Sequence, residues 1–206
     1  MARILLKLLQ IGLTVWSLFF AHMAVAQKSA EKEVLDRLFM PSIQMGYINH
    51  NSVNISEGLI IQTSLEYRSP KGWLFRVNYD DFTGRINANA LNNTRVYSAQ
   101  VPLKEVLGGL GYRIANGEHN VFFMAQSGLR FYELPVIQES GGQITVEQLA
   151  REIVPIRYTL GYEFELIERF FLNTEIFIGH FAKPKDYWQN KHPFWGFTLG
   201  LSTGLF

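Results

Sequence analysis

The sequence predicts an all-β fold: an eight-stranded antiparallel transmembrane β-barrel with short periplasmic turns and long extracellular loops. Three observations carry this prediction. Segments of about ten residues alternate apolar and polar side chains with a period of two, the pattern of a two-faced strand. The connections between them are alternately short and long, as in barrels of bacterial outer membranes. The chain begins like an exported protein and then offers no apolar run long enough for a membrane helix, which leaves a closed barrel as the spanning option.

The first residues, MARILLKLLQIGLTVWSLFFAHMAVAQ, combine a basic start (Arg3, Lys7), an apolar stretch from Ile11 to Ala21 and Ala24-Val25-Ala26 before Gln27. That is the plan of a cleaved secretory signal over residues 1–26. Lys7, Gln10 and His22 break the run that an uncleaved anchor would need. Removing Arg3 and Lys7 takes the formal charge from +1 to −1, so there is no basic excess to bind nucleic acid directly. The 206 residues contain no cysteine, which excludes disulfides, thiolate metal sites and a lipidated N-terminal cysteine. Residues 27–40 read as a periplasmic leader, in which Val34, Leu35, Leu38 and Phe39 share one face of a short amphipathic helix. The barrel is expected over 41–206.

Strand one is expected over 42–50, with Ile43, Met45 and Tyr47 on one face. The second, 58–68, sets Leu59, Ile61, Thr63, Leu65 and Tyr67 against Gln62, Ser64, Glu66 and Arg68. The third, 73–82, sets Trp73, Phe75, Val77 and Tyr79 against Arg76, Asn78 and Asp80. The fourth, 104–114, opposes Val106, Leu110, Tyr112 and Ile114 to Glu105 and Arg113. The fifth, 121–132, opposes Phe123, Leu129 and Phe131 to Gln126, Gly128 and Arg130. The sixth, 153–166, is the clearest: Val154 through Leu166 in steps of two against Arg157, Thr159, Gly161, Glu163 and Glu165. The seventh, 170–181, sets Leu172, Ile176 and Ile178 against Asn173 and Glu175. The last, PFWGFTLGLSTGLF, turns Trp195, Phe197, Leu199, Leu201 and Leu205 to lipid and Gly196, Thr198, Gly200, Ser202 and Gly204 inward. Phe206 falls in the opposite phase, which implies a bulge or twist near Thr203-Gly204.

Ser69-Pro70-Lys71-Gly72, Asn116-Gly117 and Glu168-Arg169 are the short turns. NANALNNT, IQESGGQITVEQLARE and KPKDYWQNKHP lie in the long loops. In the second of these, Thr145 followed by Gln148 resembles a capping box that would start one or two helical turns through Leu149 and Ala150. A soluble β-sandwich or lipocalin-like barrel is the competing architecture. It would bury the apolar faces, yet these are too extensive, and the opposite faces carry Gly, Ser, Thr and paired charges that suit a polar lumen.

Eight strands enclose an interior that side chains fill. The expected lumen charges are Glu66, Arg68, Arg76, Asp80, Glu105, Arg113, Arg130, Arg157, Glu163, Glu165 and Glu175, which nearly neutralise one another as a salt-bridge plug. A narrow ion or solute pathway is the alternative use of the same charges. No catalytic, cofactor or metal residues are assigned. His50 and Ser52 resemble a rim pair of lipid A-modifying barrels, but no carboxylate is nominated to orient His50. His180, Asp186 and His192 match no compact zinc spacing. Tyr187, Trp188, Phe194 and Trp195 read as interface-belt aromatics, or as a partner-binding surface. The partners implied are outer-membrane lipid and the barrel-assembly machinery, which the terminal Phe206 would address.

Gly108-Gly109-Leu110-Gly111-Tyr112, Phe131-Tyr132-Glu133, Glu163 to Glu165 and Glu168-Arg169 follow one another over roughly residues 58–181 in an order that resembles TraO proteins of conjugative transposons, with Phe131 where that family tends to carry glycine. The resemblance implies an outer-membrane component of a DNA-transfer apparatus, partnered by other conjugative-transfer proteins. It carries over no catalytic residues.

Overall fold

The computed structural model describes residues 39–50, 58–89, 96–140, 143–182 and 193–205. They form eight strands: β1 (Phe39–His50), β2 (Gly58–Arg68), β3 (Trp73–Asn89), β4 (Val96–Asn116), β5 (His119–Ser140), β6 (Gln143–Ile167), β7 (Phe170–Ala182) and β8 (Phe194–Thr203). Each strand pairs antiparallel with its sequence neighbours. β1 also pairs with β8, from Ser42 opposite Ser202 to His50 opposite Phe194, so the sheet closes on itself. Closure gives the paired backbone groups partners on both sides of every strand.

The period-two pattern of the sequence is realised as an inside and an outside. On β2, Leu59, Ile61 and Leu65 face out while Ile60, Gln62, Ser64, Glu66 and Arg68 are buried. On β8, Trp195, Phe197, Leu199 and Leu201 face out and Gly196, Thr198 and Ser202 face in. That alternation runs without a break through buried Gly204 to exposed Leu205. Gly204 N–H donates to Arg169 O and Leu205 N–H to Phe39 O. The expected bulge near Thr203-Gly204 is therefore absent through Leu205, because these bonds keep the ladder in register; Phe206 lies outside the described residues.

Three tight turns close one end. Gly72 N–H donates to Ser69 O at 3.0 Å, with Gly72 at φ 86°. The β4–β5 turn is Gly117-Glu118, flanked by the pair Asn116–His119, with Gly117 at φ 62°. The β6–β7 turn uses Arg169, a non-glycine residue, at φ 70°, next to a register shift between Glu165 and Ile167.

At the opposite end the walls differ in height. β1, β2, β7 and β8 have 12, 11, 13 and 10 residues. β3 to β6 have 17, 21, 22 and 25. Much of what the sequence suggests as loop is thus strand, in two hairpins that continue past the last β4–β5 pair, Leu103–Tyr132. The helical turns expected through Leu149 and Ala150 are not formed: Gln148, Leu149 and Ala150 pair with Pro135, Leu134 and Glu133. The β-branched run Ile144-Thr145-Val146 favours the extended chain over the cap. Likewise Phe39, expected to end a leader helix, is the first residue of β1 and pairs with Tyr67, while residues 27–38 lie outside the described ones.

Candidate functional site

Among the described residues, buried side chains occupy the barrel interior in layers. Near the turns, Leu74, Phe122 and Met124 form a small apolar cluster. Towards the other end Ile48, Ile60, Phe82, Val101, Leu103, Tyr132, Phe177 and Phe194 form a larger one. Between and beside them runs a belt of buried polar and charged side chains.

The belt has two linked parts. In the first, Glu66 accepts from Arg68 Nε at 2.5 Å through one oxygen and from Arg76 Nε at 2.8 Å through the other. Arg68 also bonds Glu163, and Arg76 Nη1 donates to Glu175 Oε1 at 2.6 Å. In the second, Arg157 Nη1 donates to Asp80 Oδ2 at 2.6 Å and Arg130 Nε to Glu105 Oε2 at 2.6 Å. Gln62 joins the two, donating to Glu175 at 3.3 Å and accepting from Arg157 at 3.4 Å. Gln44 donates to Glu175 at 2.7 Å and accepts from Thr198 at 2.6 Å, which carries the network across the β1–β8 closure. Buried charges need such satisfaction, since an unpaired one costs several kcal/mol.

Of the eleven expected lumen charges, Glu66, Arg68, Arg76, Asp80, Glu105, Arg130, Arg157, Glu163 and Glu175 are buried. Arg113 and Glu165 are instead half-exposed, because they lie at the turn end of β4 and β6 where the interior opens to solvent.

The period-two reading passed over the aromatics inside the barrel. Phe122, Phe177 and Phe194 stand directly opposite Gly161, Gly196 and Gly179 on the neighbouring strands. A Cβ on those glycines would come within 2.0, 2.3 and 2.2 Å of the opposing ring. Each ring packs against its glycine and has an arginine over its face. Arg76 stands 4.8 Å from Phe122, Arg157 4.9 Å from Phe177 and Arg130 4.7 Å from Phe194. The glycine makes room, the ring fills it, and the ring's face holds a cation. Phenylalanine in the polar phase opposite an in-phase glycine was the signal for this arrangement.

Phe194, expected in an aromatic belt, is accordingly an interior residue; Trp195, its neighbour, takes the outward phase. His50 is also interior. Its ring stacks on Phe82 with centroids 5.8 Å apart, and its Nε2 lies 2.8 Å from Arg130 Nη1. His180 faces outward and stacks on Tyr158. Ser52, Asp186, Tyr187, Trp188 and His192 lie outside the described residues, among which no cluster of three potential metal ligands occurs.

The outer surface is the complement. Ile43, Met45, Ile61, Leu65, Val77, Leu110, Leu160, Ile176, Leu199 and Leu201 make a continuous aliphatic band. Aromatic groups flank it: Phe39–Tyr67 and Trp73–Tyr112 near the turns, Tyr47–Trp195 and Tyr158–His180 towards the other end. The band stops abruptly. Going up β3 the outward residue changes from Tyr79 to Asp81, and on β4 from Val106 to Lys104, directly opposite Asp81.

The described residues thus define a class by architecture, a closed up-and-down eight-stranded barrel with a filled polar interior and an apolar outer band. Among solved structures the chain is similar to Neisserial surface protein A, with TM-score 0.59, 11% identity, and 81% of this chain and 97% of that one covered. It is also similar to the outer membrane protein OprG from Pseudomonas aeruginosa, with TM-score 0.53, 10% identity, and 80% and 94% covered. A third is Ail, the attachment invasion locus protein of Yersinia pestis, in complex with a heparin analogue, with TM-score 0.50, 12% identity, and 80% and 97% covered. At such identities the likeness is one of fold. No family model and no curated protein matches the sequence.

Proposed function

We propose that this chain is a non-enzymatic outer-membrane β-barrel with a structural or interaction role, exported by its N-terminal signal and closed through its middle by its own side chains. One observation carries the reading: the apolar face is outside and the ion pairs are inside, the reverse of a barrel that folds in water. From Leu59 to Tyr67 the outward face of β2 runs ~27 Å along the strand, or ~20 Å at a tilt of ~40°, close to the apolar height of outer-membrane barrels. Aromatic groups at both margins of the band suit the two membrane–water interfaces. Barrels of similar fold in NspA, OprG and Ail support the same location.

The order of segments resembling TraO proteins gives this role its context, as an outer-membrane component of a conjugative transfer apparatus. Catalysis on lipid A would need His50 at the lipid-facing rim, whereas its ring is enclosed with Arg130, Phe82 and Phe194. Fractionation of the expressing cell tests the location: the protein is expected in the outer membrane with heat-modifiable gel migration, and recovery in the soluble periplasm would refute the reading. For the transfer role, deletion is expected to lower mating efficiency, and unchanged transfer would remove it.

A further inference from the structure

Among the described residues the interior holds four buried arginines, Arg68, Arg76, Arg130 and Arg157, against five buried carboxylates, Glu66, Asp80, Glu105, Glu163 and Glu175. One negative charge is in excess, and adding the half-exposed pair Arg113 and Glu165 leaves the excess unchanged. His50 does not offset it. Its Nε2 is 2.8 Å from a guanidinium nitrogen, which can only donate, so the imidazole accepts there and is neutral.

The carboxylates are not equally served. Glu66 is bonded through both oxygens by Arg68 and Arg76, and Glu175 through both by Arg76, Gln44 and Gln62. Asp80 stands directly opposite Glu105 across the β3–β4 ladder, and both are buried. Opposed residues on one face of a sheet have Cβ atoms only ~4.5–5.5 Å apart. Arg157 Nη1 serves both groups unequally, at 2.6 Å from Asp80 Oδ2 and 3.7 Å from Glu105 Oε1. Asp80 Oδ1, like Glu163 Oε2, is buried with no hydrogen-bond partner among the described residues, but only Asp80 has a second carboxylate directly opposite it. The other charged groups around the pair are Arg130 from β5 and Glu175 from β7. Phe82 and Phe177, whose rings carry Arg130 and Arg157, belong to the apolar cluster that bounds this part of the belt.

Two ionised carboxylates opposed in this way repel, and burial amplifies the repulsion; a shared proton removes it. We propose that Asp80 and Glu105 form a carboxyl–carboxylate pair that binds one proton, carried on Asp80 Oδ1 and directed to Glu105. The proton neutralises the interior, supplies the donor that Oδ1 lacks and leaves Oδ2 to accept from Arg157. The site is a buried proton-binding site, and it deepens the reading of a closed interior by giving that interior its missing counter-charge.

Infrared spectroscopy of the refolded barrel at neutral pH tests it. A protonated-carboxyl C=O band that shifts in D2O is expected in the native chain. It is expected to vanish in Asp80→Asn and equally in Glu105→Gln, since either change removes the excess charge, and to persist in Glu163→Gln combined with Arg68→Gln, which leaves the balance intact. Absence of the band in the native chain, or its survival in both single variants, would overturn the proposal. A band-free native protein whose unfolding midpoint rises with added sodium or potassium would overturn it in favour of a bound cation. Stability gives a second measure that does not depend on the spectrum. Asp80→Asn keeps an acceptor for Arg157 and a donor towards Glu105, so its urea midpoint should stay near the native value while that of Glu66→Gln falls. Equal losses in the two variants would count against the proton. Membrane fractionation reports separately on the outer-membrane reading, so either idea can fail alone.

Discussion

The two halves of the interior hold their arginines by different means. Towards the turns ion pairs dominate, with one ring beside each arginine: Arg68 and Arg76 share Glu66 between them and anchor their free ends on Glu163 and Glu175, while Phe171 and Phe122 lie under their guanidinium groups. Towards the far end Arg157 keeps an ion pair with Asp80, but Arg130 is held largely by rings. Arg130 sits 4.7–4.9 Å from the centroids of Phe82, Phe181 and Phe194 while its Nε bonds one carboxylate, Glu105. The chain of ion pairs turns on Glu66, which is the shared link between Arg68 and Arg76. The ring cage distributes its hold over several contacts that are individually weaker. The turn half should therefore be the more brittle of the two.

The largest expected effect follows from that brittleness. Glu66→Ala removes the link between two buried guanidinium groups and should cost about 3–5 kcal/mol, the usual loss when one member of a buried pair is deleted. Reversible urea unfolding of the refolded barrel reads it, and a loss no greater than that of an exposed charge would break the comparison. Gly161→Ala should come next. Its Cβ would fall 2.0 Å from the Phe122 ring, displacing the surface under Arg76, with a cost of about 1–3 kcal/mol from overpacking. Combining it with Phe122→Leu should recover part of the loss, and strict additivity would show that ring and glycine are not coupled. The smallest effect is a gain. Arg169 holds φ 70°, a conformation that costs a side chain about 1–2 kcal/mol and glycine nothing, so Arg169→Gly should raise the unfolding midpoint slightly. A fall would mean that the Arg169 side chain matters more to the turn than its backbone.

How much of this was legible depended on what a period of two can encode. The phase of Leu59 to Arg68 or of Trp195 to Leu205 fixes which side each residue faces, and the structure realises both. The nine buried charges follow from the same phase. It does not encode pairing, so the joining of β1 to β7 and β8 through Gln44, Glu175 and Thr198 was not readable. Nor does phase say where a strand stops. Residues 143–152 carry Gln, Glu and Arg and read as loop, yet they extend a hairpin whose partner, 131–140, satisfies their backbone. Phe122 and Phe177 were missed for a related reason. An apolar residue in the inward phase looks like noise until its register partner is seen to be glycine.

The central claim is that the apolar outer face meets lipid and the charged face does not. Because the chain has no cysteine, single substitutions give unique labels. Nitroxides at Leu199→Cys and Asp81→Cys in reconstituted vesicles report collisions with oxygen, which partitions into lipid, and with a water-soluble nickel chelate. The label at 199 is expected to meet oxygen and be shielded from nickel, while the label at 81, just beyond the band, is expected to show the reverse preference. Strong nickel accessibility at 199 would contradict the central claim.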